Sequence, residues 1–278
     1  MTAILIAAGC YTICALADKY AVSKAKLNGT EFTFIMSFAT SIFMTLLLPF
    51  IDHDITFSWQ SLIFIALIAV NKAAEFLLAT LILREMSAFE LKAWLGTVMF
   101  VSYFVDMLYG STFKALCLVC IAVTGIGLFL IAKSNGQQVH YKKIALPLIG
   151  YLATRFSYGI IMRFGAVYMP SSMILYFALI LMTIVLLPKI KIKKLLTENK
   201  KGTLVTAVTK FPNAIGLIAE NAAVAVSLMG SSLIQPIILV ALFFIGIIRK
   251  ESCTKLNLAG GIISILGIVA FQLVNSFM

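Results

Sequence analysis

Acidic residues are scarce in this chain, eleven aspartates and glutamates among 278 residues. Charged residues of both signs make up only 12% of it, against about 25% in soluble domains. With a mean hydropathy of +1.05, that shortage excludes a soluble globular protein. Histidine is nearly absent too: His53 and His140 both fall in connecting segments. HExxH, GxSxG and the phosphate-binding Walker loop are all missing, which removes the usual metal, nucleophile and nucleotide chemistry of an enzyme. Five cysteines offer no alternative. Cys10, Cys14, Cys117 and Cys120 lie inside apolar runs and Cys253 in a loop, so neither a disulfide framework nor a zinc site is indicated, and no cofactor or metal is expected.

What the chain has is apolar runs of about 20 residues, the length a helix needs to cross some 30 Å of hydrocarbon. Ten can be drawn, at about 2–21, 31–50, 58–83, 88–109, 113–132, 144–164, 171–188, 203–228, 231–248 and 257–276. The expected fold is an all-α polytopic membrane protein of ten transmembrane helices. The first run ends in Ala15-Leu16-Ala17, similar to a signal-peptidase site, but lacks a positively charged leader, so an uncleaved first span is expected. Trp59 falls at a water interface, where an indole anchors a helix end.

The net charge of +11 would suggest nucleic acid in a soluble protein. Here its distribution points to membrane orientation and to no nucleic-acid partner. Sixteen lysines and arginines follow odd-numbered spans, among them Lys19, Arg84, Lys143, Lys194 and Arg249. Only Lys114 and Arg163 follow even-numbered ones, beside Asp52 and Asp54. Basic loops stay on the cytoplasmic side, which puts both termini outside. The expected location is a cell membrane, the bacterial inner (plasma) membrane, spanned many times.

The halves repeat. Cys117, Cys120, Thr124 and Gly127 in the fifth span share one set of offsets with Asn257, Gly260, Ser264 and Gly267 in the tenth, in each case a single helical face of small residues. Such faces let membrane helices approach closely. Two five-span repeats, 1–133 and 144–278 around a loop at 134–143, must insert in opposite orientations because five is odd. Inverted repeats are a transporter architecture, with substrate near the midplane between them.

The stretch "SSLIQPIILVALFFIGIIRKESCTKLNLAGGIISILGIVAF", residues 231–271, resembles the last two spans of EamA-like permeases of the drug/metabolite transporter superfamily. The shared elements are Pro236, Glu251 in the tight loop, and Gly260, Gly261 and Gly267. The first half matches more loosely through "ATLILREMSAFELKAWLGTVMF" and "ALCLVCIAVTGIGLFLIAKS", with Tyr109-Gly110-Ser111 where an acid would stand. The resemblance implies a permease with both termini inside, opposite to the charge distribution. We follow the charges, which belong to this chain.

Four cations, Lys72, Lys92, Arg155 and Lys210, lie inside spans, and Glu75 and Glu220 are the deepest acids. An ionisable group at the bilayer centre costs at least about 2.5 to 3.5 kcal/mol, so it faces protein or water. Lys72 and Glu75, one turn apart, either neutralise one another or form with Asn71 a polar stripe facing a cavity, with Glu75 as a candidate proton carrier. Asn213 and Glu220 share a face of the equivalent eighth span, which Pro212 loosens. Tyr151, Arg155 and Tyr158 share a face of the sixth, where Arg155 either binds a substrate carboxylate or phosphate or pairs with Glu75 or Glu220. Trp94, two turns inside the fourth span, is a candidate cavity lining, and Lys92 is ambiguous because its stem can reach the interface. Arg163 snorkels, Asp106 lies near a helix end, and Ser87 with Glu90 form a capping box that needs no further role.

These residues suggest a secondary transporter for a small polar or zwitterionic, amino-acid-like metabolite, with candidate proton coupling through Glu75 or Glu220. Its substrate site would comprise Asn71, Glu75, Trp94, Arg155, Tyr158, Asn213 and Glu220, with Lys72 as a charge partner. The alternatives are a non-transporting membrane subunit or assembly factor and, less readily, a membrane-embedded enzyme. The partners expected are a small-molecule substrate and the lipid bilayer, with oligomeric state left open.

Overall fold

In hydrocarbon a backbone N–H or C=O finds no water, so an apolar run satisfies its own polar groups only as a helix. The computed structural model describes residues 2–23, 25, 27–51, 55, 57–98, 100–101, 104, 113–135, 141–226, 234–248 and 254–277, and among them it is helical, without strands. Among the described residues the α-helices are, in order, α1 (Thr2–Ser23), α2 (Gly29–Leu47), α3 (Trp59–Glu85), α4 (Ala88–Gly96), α5 (Ala115–Asn135), α6 (Tyr141–Gly165), α7 (Ser171–Leu186), α8 (Ile192–Thr197), α9 (Lys200–Val208), α10 (Lys210–Val226), α11 (Ile234–Ile248) and α12 (Lys255–Phe277). Lys24, Lys26, Asp52, His53, Asp54, Asp106, Tyr109, Gly110, Ser111, His140, Arg249, Lys250, Glu251 and Cys253 lie outside the described residues, as do the side chains of Pro236 and Asn257.

Among the described residues five stretches are long and apolar enough to cross a membrane: Thr2–Ser23, Gly29–Phe50, Trp59–Glu85, Lys142–Gly165 and Ser171–Lys189. Shorter apolar helices cover Ala115–Ile131, Ile237–Ile248 and Leu258–Val274. The outer faces expose Leu46, Val70, Phe129, Leu146 and Ile184, whereas Lys72, Glu75 and Lys210 are buried. Water-soluble folds do the reverse, and an apolar exterior around a charged interior suits a lipid surround.

Local signals set the helix starts. Asn28 accepts from the Glu31 backbone while the Glu31 carboxylate accepts from the Asn28 N–H, and Ser58 with Ser61 and Ser87 with Glu90 form the same reciprocal caps. Glu90 is therefore spent on its cap, as read from the sequence. Trp59 opens α3 with its side chain 74% exposed, in the position of an interface anchor. The eighth span is broken. Helix α9 ends at Val208, Thr209 forms a turn, and α10 restarts at Lys210. Pro212 has no N–H to offer the Val208 carbonyl one turn back, so the regular ladder cannot run through this point.

Packing pairs α5 with α12, α3 with α6, α1 with α10, α2 with α7 and α4 with α11, while α7 also touches α3 and α10 also touches α2. The α5–α12 seam is the small-residue face: a Cβ on Gly127 would meet the Ser264 side chain and backbone, and one on Gly267 would meet Thr124 and the Cys120 carbonyl. Cys117 and Cys120 are reduced and buried, which gives their spacing a packing explanation.

Polar ties gather the basic connections at one end of the bundle. Lys19, on α1 itself, donates to the Leu83 and Met86 carbonyls at the end of α3, and Arg84 donates to the Leu27 carbonyl. Lys143 pairs with Glu85 at 3.7 Å and Lys194 with Glu31 at 3.6 Å. At the other end rings pack instead, Phe57 on Phe177 and Phe64 on Tyr168.

Candidate functional site

Lys72 lies thirteen residues from each end of α3, which places it about 20 Å from either terminus and so at mid-bundle. Its ammonium is 2.8 Å from Glu75 Oε2 and 3.8 Å above the centre of the Tyr158 ring on α6. Both neighbours stabilise a buried cation, one by opposite charge and one by the ring quadrupole. The second oxygen of Glu75 accepts from Arg155 Nη1 of α6 at 3.1 Å. The other arm of that guanidinium, Nη2, is 3.8 Å from Glu220 Oε1 of α10. Glu220 in turn accepts a short hydrogen bond from the Tyr11 hydroxyl of α1. One polar chain thus links four helices across the bundle: Lys72, Glu75, Arg155, Glu220, Tyr11.

Helix geometry positions each member. Lys72 and Glu75 meet because residues three apart share a face. Arg155 can reach two carboxylates because its planar group presents two N–H edges. Gly216, one turn before Glu220, lets α10 come up to α1, since a Cβ there would lie 3.0 Å from the Tyr11 ring.

A second layer stands nearer the basic end. Asp18 is seven residues beyond Tyr11 on α1, about 10 Å along the axis. It pairs with Lys210, at the α9–α10 break, at 2.7 Å. The break itself is tied to α1, because the Thr209 carbonyl accepts from Cys14 Sγ as well as from the Asn213 N–H.

Between the layers lies a cavity of about 90 Å³, formed by α1, α2, α3, α4, α6, α7 and α10. Its polar lining comprises Tyr11, Cys14, Asp18, Thr40, Lys72, Glu75, Lys92, Tyr151, Arg155 and Asn213; Phe32, Met36, Phe76, Leu91 and Leu175 supply much of its apolar wall.

Of the residues singled out from the sequence, Glu75, Arg155, Asn213 and Lys72 line this cavity. Glu220 lies immediately behind it, bridged by Tyr11 and Arg155. Asn71 turns its amide to Ser157 at 2.6 Å and leaves its carbonyl oxygen buried without a partner among the described residues. Tyr158 underlies Lys72, with its hydroxyl buried and without a partner among the described residues. Trp94 does not line the cavity: it packs among the apolar side chains between the two smaller cores, with its indole N–H buried and without a partner among the described residues. Asn213 reaches Thr40 of α2 at 3.5 Å.

Sequence reasoning missed Tyr11, Asp18 and Thr40. Asp18 carried a usable signal, an acid at the end of an apolar run with Tyr11 two turns before it on the same face. Thr40 carried none, since hydroxyls bonded to their own helix are common in apolar spans. Among the described residues no cluster of three histidine, cysteine or acidic side chains could hold a metal. The chain matches no family model and no curated protein.

Proposed function

We propose that this protein is a secondary transporter that moves a small polar or zwitterionic metabolite across the membrane by alternating access between two inverted five-helix halves. The observation that carries the reading is the cavity inside the bundle, walled by charged side chains from α1, α3, α4 and α6. Ionisable groups at that depth are costly, and a cavity between two ion-paired layers is where a solute would be held while each side opens in turn.

The packing pattern supports the inverted halves. If the first span corresponds to the sixth, the second to the seventh and so on, then α3–α6 exchanges with α10–α1 and α3–α7 with α10–α2, while α2–α7, α4–α11 and α5–α12 map onto themselves. Glu220 is the better placed of the two candidate proton carriers. Its cation stands off at 3.8 Å, whereas Glu75 has cations at 2.8 and 3.1 Å.

A second reading, a non-transporting membrane subunit, draws on a different observation: Asp18, Glu75 and Glu220 all find cations within the chain, as interhelical polar glue would. Uptake into proteoliposomes separates the two. Wild type should accumulate one or more of a panel of labelled metabolites, and Glu75→Gln and Glu220→Gln should reduce that uptake at least tenfold. A panel in which nothing moves favours the subunit.

A further inference from the structure

The cavity is not electrically balanced. Four cations surround it or stand in its bounding layers, Lys72, Lys92, Arg155 and Lys210, against three anions, Asp18, Glu75 and Glu220. The pairings account for the three carboxylates: Lys72 and Arg155 share Glu75, Arg155 reaches on to Glu220, and Lys210 holds Asp18. Lys92 is left over. Among the described residues it has no hydrogen-bond acceptor and no ion-pair partner, yet it lines the cavity within electrostatic range of Asp18, Glu75, Arg155 and Glu220.

Lys92 is half-buried in the cavity wall, and a cation held there without a counter-charge costs the fold more than one in open water. The bland resolution for a lysine near a helix end is to snorkel, but Lys92 lies only a turn into α4, which starts at the basic end, and turns into the cavity instead. We infer that Lys92 is the anchor for the solute, and that the solute is a small organic anion of net charge −1 bound through a carboxylate. The same geometry disfavours a zwitterion. A solute ammonium would need a free acceptor, and every carboxylate at the cavity is already engaged with a cation. A phosphate, carrying about −1.5 to −2 charges, would overshoot the single charge to be neutralised.

This inference rests on the transporter reading for its biological meaning but is tested by binding. The probes are L-lactate, pyruvate, L-alanine, putrescine and inorganic phosphate. Each is added to the purified full-length protein in detergent micelles, with thermal unfolding as the readout, and each is then offered to proteoliposomes. We expect lactate or pyruvate to stabilise wild type in a saturable way, with alanine, putrescine and phosphate weaker. Lys92→Gln should weaken the anion response at least tenfold, Lys92→Arg should keep it within about threefold by restoring the charge, and the exposed control Lys189→Gln should leave it unchanged. Should Lys92→Gln not fold, Lys92→Arg retaining the lactate response, with that response competed away by pyruvate and not by putrescine, carries the test. Equal stabilisation by alanine, an undiminished response in Lys92→Gln, or no response to either anion overturns the assignment. Uptake of alanine without uptake of either anion would overturn it while leaving the transporter reading intact; binding of the anions without uptake would do the opposite.

Discussion

The Lys210 ammonium, fully buried at the α9–α10 break, lies 2.7 Å from the Asp18 carboxylate on α1. Both groups were taken out of water to make that pair, so removing one strands the other. Lys210→Met or Asp18→Asn alone should destabilise the protein by about 3–5 kcal/mol, read as a loss of thermal stability in detergent. The double variant should recover most of that loss, because no uncompensated charge remains. A double variant no better than the singles would mean that the pair is not the source of the effect.

Arg155 touches two carboxylates, and Lys72 only one. Arg155→Met should therefore cost more stability than Lys72→Met, which leaves Glu75 its guanidinium at 3.1 Å. Partial rescue of Arg155→Met by Glu220→Gln, measured as a double-mutant cycle with a coupling of about 0.5–3 kcal/mol, would place the two groups in one network. Additive losses would argue that the 3.8 Å contact carries no energy.

The α5–α12 seam provides an internal control. At Gly127 an added Cβ would meet Ser264 and the Gly260 carbonyl, whereas at Gly125, on the other side of the same helix, it would meet nothing within 4 Å. Gly127→Ala should destabilise by about 1–3 kcal/mol through forced separation of two backbones. Gly125→Ala should gain a few tenths to about 1 kcal/mol from helix propensity alone. Thermal unfolding of both variants checks the sign as well as the size.

These pairs also mark what the sequence could and could not say. Lys72 with Glu75 was legible because both lie on one helix, where three-residue spacing fixes proximity. The small faces around Gly127 and Gly267 were legible for the same reason, as was the Ser87–Glu90 cap. Arg155 was legible only as an alternative, since choosing between a ligand and Glu75 requires knowing that α6 packs on α3. Tyr11 and Asp18 were passed over because their partners, Glu220 and Lys210, are some 200 residues away, at separations of 209 and 192. Trp94 was misplaced because depth along a span says nothing about which way the ring turns, and here it turns into the packing between cores.

The reciprocal caps allow structure and function to be told apart at Glu90. Its side chain is buried, yet its carboxylate accepts from the Ser87 N–H at 2.9 Å. Ser87→Ala should cost about 0.5–2 kcal/mol of stability. Glu90→Gln, which keeps an acceptor for the same N–H, should leave proteoliposome uptake within about twofold of wild type. A larger fall in uptake from Glu90→Gln than from Glu75→Gln would assign Glu90 a role beyond its cap.

Membrane orientation is the last prediction, and it follows from this chain's own charges. Lys19, Arg84, Lys143 and Lys194 are bound to groups at a single end of the bundle, so the basic connections form one charged rim rather than two. Carrying that rim across a bilayer would be opposed by every one of those charges, so the rim is expected to stay in the cytoplasm. Helix α1 runs toward the rim, since Lys19 near its end donates to the Leu83 and Met86 carbonyls at the end of α3, so the start of α1 is expected to face outward. If the chain crosses ten times, the C-terminus shares that side. A reporter fused after Met278 should accordingly be active only outside the cell, and its loss on replacing Lys191, Lys193, Lys194, Lys200 and Lys201 by glutamine would tie the orientation to the rim. A cytoplasmic signal from the wild-type fusion would show that either the count of crossings or the charge rule fails here.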